Sequence, residues 1–125
     1  MLGDVTVIAT IAVSNAQQAK DFYGEKLGLS LLEENPAVLI WESGDGKLFT
    51  YIAPTAGSGD ASVATWPVSD IAATVADIKA KGIAFEHYEL PGATVEADGA
   101  ILAFGETKAA WFKDPDGNIL ALVTA

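Results

Sequence analysis

The sequence predicts an α+β protein built from two tandem βαβββ modules. An order of strand, helix and three strands occurs twice along the chain. The same punctuation marks both copies, with Val13-Ser14-Asn15 matching Val68-Ser69-Asp70 and Leu27-Gly28 matching Lys81-Gly82. At 125 residues and 50% hydrophobic, the chain is long enough for one sizeable core and too short for two ordinary domains. The expected layout is one domain over 1–125, with a first module at about 4–54, a linker at about 55–60 and a second module at about 61–125.

Taken in order, Thr6–Val13 is apolar and β-branched, the pattern of a buried first strand. It does not read as a signal peptide: Asp4 stands where a positive flank belongs, and the run is too short to span a bilayer. Ser14 or Asn15 caps a helix, and Ser14 with Gln17 fits a capping box. Ala19, Phe22, Tyr23 and Leu27 recur at helical spacing before Gly28 ends the helix. Three short strands follow, Leu29–Glu33, Ala37–Glu42 and Lys47–Ala53, divided by Asn35-Pro36 and Gly44-Asp45-Gly46.

The small-residue run Pro54–Asp60 is the best internal boundary. Ala61–Val68 opens the second module, with Pro67 implying an edge or bulge. Ser69 or Asp70 caps a helix carrying Ile71, Val75 and Ile78, closed by Lys79, Lys81 and Gly82. Strands are expected at Ile83–Tyr88, Ala100–Phe104, Ala109–Lys113 and Asn118–Val123, around a polar excursion at Glu89–Gly99. The last two flank Asp114-Pro115-Asp116-Gly117-Asn118, a dense set of turn formers.

Composition removes several function classes. Without cysteine there is no disulfide, thiolate ligand or cysteine nucleophile. All seven basic residues are lysine, so no guanidinium is available for bidentate clamping of phosphate or carboxylate. A formal charge of −10 repels nucleic acid and anionic membranes and attracts cations. The expectation is a cytoplasmic protein with neither nucleic-acid nor membrane partners.

The string DPDGN followed by alternating apolar residues, with FYGEKLGL at Phe22–Leu29 upstream, resembles the vicinal-oxygen-chelate superfamily. That family includes glyoxalase I, ring-cleaving dioxygenases and bleomycin-resistance proteins. The resemblance spans nearly the whole chain. It implies that the two modules form a half-open, curved, barrel-like sheet with helices on the convex side, and that the protein is a homodimer.

In metal-dependent members an ion sits in the cleft on four strand positions. Aligned on this chain, those positions fall on Ile8, Thr50, Val63 and Ala121. A divalent cation needs carboxylates, imidazoles or several hard oxygens. One hydroxyl among three aliphatic side chains offers none of these, so no metal and no cofactor are expected. Strand residues two apart share a face, so Leu48, Ile52, Ile119 and Val123 are expected beside Thr50 and Ala121. The family pattern also brings Trp111 to the cleft, with Trp41 as its repeat mate; Trp66 alternates to the opposite face from Val63.

A cleft of two indoles and aliphatic groups suits an apolar or aromatic ligand, and indole faces also attract cations. The expected ligand-binding set is therefore Trp41, Thr50, Trp111, Ile8, Val63, Ala121 and Leu48. The leading expectation is a metal-free binding protein of bleomycin-resistance type. The alternative is a glyoxalase-like lyase or other enzyme of the same scaffold working without the metal, with Glu42, His87, Tyr88 or Glu106 as acid or base. A third arrangement, in which the tryptophans pack a core or a subunit interface, stays open at this point.

Overall fold

The computed structural model describes residues 1–96 and 98–125; Ala97, within the polar excursion, lies outside them. The chain forms two compact units, Met1–Ser58 and Gly59–Ala125. Each holds a strand, a helix and a sheet of further strands, so the α+β architecture expected from the repeated pattern is the one found.

In the first unit a short 3₁₀ turn, Leu2–Asp4, leads through an extended, exposed segment to β1 (Ala9–Val13). The strand begins later than the apolar run predicts, because its parallel ladder with β4 starts only at Ala9↔Leu48. Asn15, not Ser14, caps the helix: its side chain accepts from the Gln18 amide at 2.8 Å. Gln17 donates through its side chain to Asp21 one turn ahead, at 3.0 Å.

This helix, α1, is regular over Ala16–Ala19 and continues as a π-helical segment, Lys20–Lys26. The wider turn sets the neighbouring Phe22 and Tyr23 both into the core. Gly24 follows, and a Cβ there would stand 3.2 Å from the Trp41 ring. Its missing side chain is what lets the indole approach the helix backbone.

Strands β2 (Ser30–Glu34), β3 (Val38–Ser43) and β4 (Gly46–Ile52) complete an antiparallel meander, and β1 joins its far edge in the order β1-β4-β3-β2. Asn35 shapes the first turn by accepting from the Ala37 and Val38 amides. The second turn has only two residues, Gly44 and Asp45, with Gly44 at φ +56°. One face of the sheet, carrying Ile11, Val13, Leu39, Trp41, Leu48 and Thr50, is buried. Tyr23 of the helix lies on this face, its ring 6.3 Å from that of Trp41.

The second unit repeats the path. β5 (Ser62–Val68) pairs in parallel with β9 (Ile119–Thr124), and the order β5-β9-β8-β7-β6 matches the first sheet with one strand added. Helix α2 (Ile71–Ala80) is capped by Asp70, which accepts from the Ala73 amide at 3.0 Å. Ile71, Val75 and Ile78 are buried, as their spacing predicts. Gly82 at φ +84° ends the helix as Gly28 at φ +80° ends α1. The added strand, β6 (Thr94–Val95), falls in the stretch expected to be irregular, and it pairs with β7 (Leu102–Phe104). Strand β8 (Thr107–Lys113) runs two residues earlier than expected.

Ile83–Tyr88 is not the strand its composition suggests. β7 covers β8 only as far as Ala109, and this segment meets β8 beyond that point. It does so through one isolated bridge, Phe85↔Phe112, and a 2.7 Å bond from the Glu86 amide to the Trp111 carbonyl. Phe85 packs on Phe112 with ring centroids 5.3 Å apart, in a core shared with Leu102, Ala110, Leu120 and Leu122.

The DPDGN loop is held by Asp114, which is 5% exposed. One carboxylate oxygen accepts from the amides of Asp116 (3.0 Å) and Asn118 (2.9 Å). The other accepts from the Asn118 side chain at 2.8 Å. Gly117 supplies the positive φ, +93°, that lets the chain reverse.

Candidate functional site

The hairpins that follow Trp41 and Trp111 close with turns of different length, but each tryptophan stands two residues before the last ladder pair. In the first unit, Ser43↔Gly46 closes a two-residue turn, so Trp41 pairs with Leu48 and Leu39 with Thr50. In the second, Lys113↔Ile119 closes a five-residue loop, so Trp111 pairs with Ala121. Trp41 meets Tyr23 and Gly24 of α1, so Trp41, Leu48 and Thr50 lie on the helix-bearing face of their sheet, 1%, 3% and 0% exposed.

The inward register that the sequence suggests for these three is displaced by one residue. Trp41 Nε1 donates to Thr50 Oγ1 at 3.1 Å, and that hydroxyl donates in turn to the Leu39 carbonyl at 3.5 Å. Ile8 is half-buried just ahead of β1.

In the second unit Trp111 and Ala121 are register partners, and Thr65 of β5 adjoins Ala121. They share the sheet face opposite Phe112, Leu120 and Leu122. Val63 lies at the irregularity in β5 and is 38% exposed. Trp66 pairs with Leu122, which places it on the helix side.

Beside Trp111 lies a groove of ≈ 440 Å³ lined by Asp60, Ser62, Tyr88, Leu90, Trp111, Lys113 and Ile119. The bond between Glu86 and Trp111 anchors the extended segment so that Tyr88, two residues on, reaches the indole. Their rings meet edge to face with centroids 5.4 Å apart. Lys113 Nζ stands 3.0 Å from Glu86 Oε1. The hydrogen bond that Lys113 donates to Glu86, then the charge of Glu86, hold the Lys113 ammonium above the usual lysine range, with smaller help from Tyr88 and Asp60. Lys113 is thus a fixed cation at the groove, unsuited to act as an amine nucleophile.

Asp60, Ser62, Leu90 and Lys113 are not among the residues that the sequence singles out. Only Lys113 had a usable signal, standing two residues after Trp111 on the same face. Tyr88, expected as an acid or base, is a wall of the groove. His87 is exposed and packs over Gly99, where a Cβ would come within 3.3 Å of its ring. Glu106 sits in the exposed β7–β8 turn, and Glu42 is exposed on β3 opposite Lys47.

Among the described residues, no three His, Asp or Glu side chains come together as a metal-binding group. Of the four positions aligned with the metal ligands of the family, only Thr50 carries a side-chain oxygen, and it is committed to Trp41 and Leu39. These residues do not fit a divalent cation. No helix among the described residues is long and apolar enough to cross a membrane.

The family model of the Glyoxalase/Bleomycin resistance protein/Dioxygenase superfamily matches residues 5–122. The chain belongs to this superfamily. Within it, the structure is similar to a glyoxalase family protein from Enterococcus faecalis, with 26% identity, a TM-score of 0.72, and 98% of this chain covered against 99% of that one. It is also similar to TnmS3, an antibiotic-binding protein from Streptomyces sp. CB03234, at 23% identity and a TM-score of 0.65, covering 96% of each chain. A bleomycin resistance determinant encoded on the transposon Tn5 matches at 20% identity and a TM-score of 0.69, covering 95% of this chain and 96% of that one. The last two likenesses concern the superfamily fold. No curated protein matches the sequence significantly.

Proposed function

We propose that this member of the superfamily is a metal-free binding protein for a small, flat, apolar or aromatic molecule, held in the Trp111–Tyr88 groove. The observation that carries the reading is a half-exposed pair of aromatic rings inclined at 60°, beside Leu90 and Ile119, in a groove of ≈ 440 Å³. Ring edges and faces left open to solvent in this way gain more from a planar guest than from water. The names of the antibiotic-binding protein and the bleomycin resistance determinant agree with this reading. Ala121 extends the same sheet surface, whereas Trp41, Leu48 and Thr50 act as core; Val63, at the irregularity in β5, and Ile8 have no assigned part in the groove.

Sequestration, not turnover, is the proposed outcome. Of the residues considered as acid or base, Glu42, His87 and Glu106 lie outside the groove lining and Tyr88 forms one of its walls; Asp60, the carboxylate of the lining, is exposed. The net charge of −10 would draw cationic compounds toward the protein, making an aromatic cation one class to test. We further propose a cytoplasmic homodimer, supported by exposed apolar residues at Val5 (66%) and Val7 (91%) and by the edge positions of β1 and β5. Sedimentation would report the subunit number.

Tryptophan fluorescence of the wild type and of Trp111→Phe, titrated with a panel of planar aromatic compounds, tests the binding reading. Saturable quenching in the wild type that is lost in the variant supports it. Absence of quenching across the panel, or equal quenching in both proteins, removes its support.

A further inference from the structure

The groove is apolar along its walls, but it is not electrically blank. Lys113 lies in its lining and Glu86 holds the ammonium from one side at 3.0 Å. An ammonium has three donors, so two remain for other acceptors. Asp60 is the other charged residue of the lining. Counting Glu86 with these two, the groove carries two carboxylates against one ammonium.

Each ligand class meets a different balance. An aromatic cation gains from the indole face and the carboxylates, but it must settle beside an ammonium already paired with Glu86. An aromatic carboxylate gains from Lys113, but it faces Asp60, Glu86 and the negative field of the whole molecule. An uncharged ring with a carbonyl oxygen meets neither repulsion and can accept from a charge-assisted donor.

We infer that the groove selects flat aromatic molecules bearing an uncharged hydrogen-bond acceptor such as a carbonyl, and that Lys113 is the residue that sets this preference. The inference rests on the groove being the binding site. It narrows the ligand class in a direction opposite to the one the net charge suggests. A lysine ammonium is protonated at neutral pH and the 3.0 Å contact with Glu86 favours that form, so the donor is present whenever the ligand arrives.

The test uses three naphthalenes of one shape: 2-acetylnaphthalene, 2-naphthylmethylammonium and 2-naphthoate, added at pH 7 to ¹⁵N-labelled full-length protein. The Trp111 indole N–H resonance, assigned by its loss in Trp111→Phe, is followed. The acetyl compound should saturate the shift at a concentration at least about fivefold below that of either ion, the margin expected of one exposed charge-assisted bond. Lys113→Met should abolish that lead and bring the ammonium compound forward, and Glu86→Gln should bring the naphthoate forward.

If Lys113→Met does not fold, Glu86→Gln decides alone, and an unchanged ratio of naphthoate to acetyl binding overturns the inference. Equal or tighter binding of the ammonium compound to the wild type also overturns it, while leaving the groove in place. If none of the three moves Trp111 at their solubility limits, the groove reading itself fails.

Discussion

Replacing Thr50 with valine should separate structure from binding in this protein. The substitution keeps the shape of the side chain and removes one oxygen. That oxygen accepts from Trp41 Nε1 at 3.1 Å, in a place where Thr50 is 0% and Trp41 is 1% exposed. Water cannot replace it without opening the core, so the indole N–H is left buried and unpaired. The cost of such an orphaned donor is about 1–3 kcal/mol. Spread over the unfolding entropy of a chain of this length, that corresponds to a fall in melting temperature of about 4–11 °C.

The assay is thermal unfolding followed by near-ultraviolet circular dichroism, where the tryptophans report. Thr50→Ser, which keeps the hydroxyl, should recover most of the loss. Trp41→Phe combined with Thr50→Val should cost less than the two separate changes together, because the pair is then absent from both sides. Aromatic ligand binding should be unchanged in Thr50→Val at temperatures where it is folded. A melting temperature within about 1 °C of the wild type would refute the reasoning, since it would mean that the indole has another partner. A selective loss of ligand affinity would return Trp41 and Thr50 to the binding site.

Other parts of the account can be checked in the same way. Asp114→Ala removes an acceptor of three hydrogen bonds inside the DPDGN loop and should cost about 2 kcal/mol or more by urea denaturation, whereas Asp114→Asn should recover part of it. Asn15→Ala and Asp70→Ala each remove a helix cap and should each cost about 1 kcal/mol, additively, as the two lie in different units.

Stability against pH should show a small acid limb from Asp98. Burial opposes its ionisation, but the Ala100 and Ile101 amides and Lys79 outweigh that and hold its pKa below the ordinary 3.8. Its contribution is therefore present above that value and is lost as pH falls through the lower folded one. Lys79→Met should flatten this limb. A rise in stability on acidification would contradict the assignment.

Much of the fold was legible because local signals agree with it. Polar caps at Asn15 and Asp70, glycines at 28 and 82, and apolar spacing in α2 all name their elements without tertiary help. What was not legible depends on pairing. Nothing in the composition of Ile83–Tyr88 says that β8 will offer it one bond rather than a ladder. The sequence resemblance between Trp41–Gly46 and Trp111–Gly117 hides a turn of two residues in one copy and a loop of five in the other.

Trp41, Leu48 and Thr50 lie in the core under α1, while Trp111 and Ala121 lie on the sheet face opposite Phe112 and Leu120, a difference that the repeat in the sequence does not carry. The charges at the groove were obscured for a different reason. Lys113 follows Trp111 by two residues and was within reach, but Asp60 sits in a stretch that reads as linker. Its place beside Trp111 is set by β5 pairing with the last strand of the chain.

The most direct measurement is calorimetric titration of the best-quenching aromatic compound into the wild type, Trp111→Ala and Thr50→Val. Loss of the indole should weaken binding at least about tenfold, the equivalent of about 1.4 kcal/mol of ring contact, while Thr50→Val binds as the wild type does. Wild-type affinity in Trp111→Ala would contradict the account, because the groove would then not be where the ligand sits.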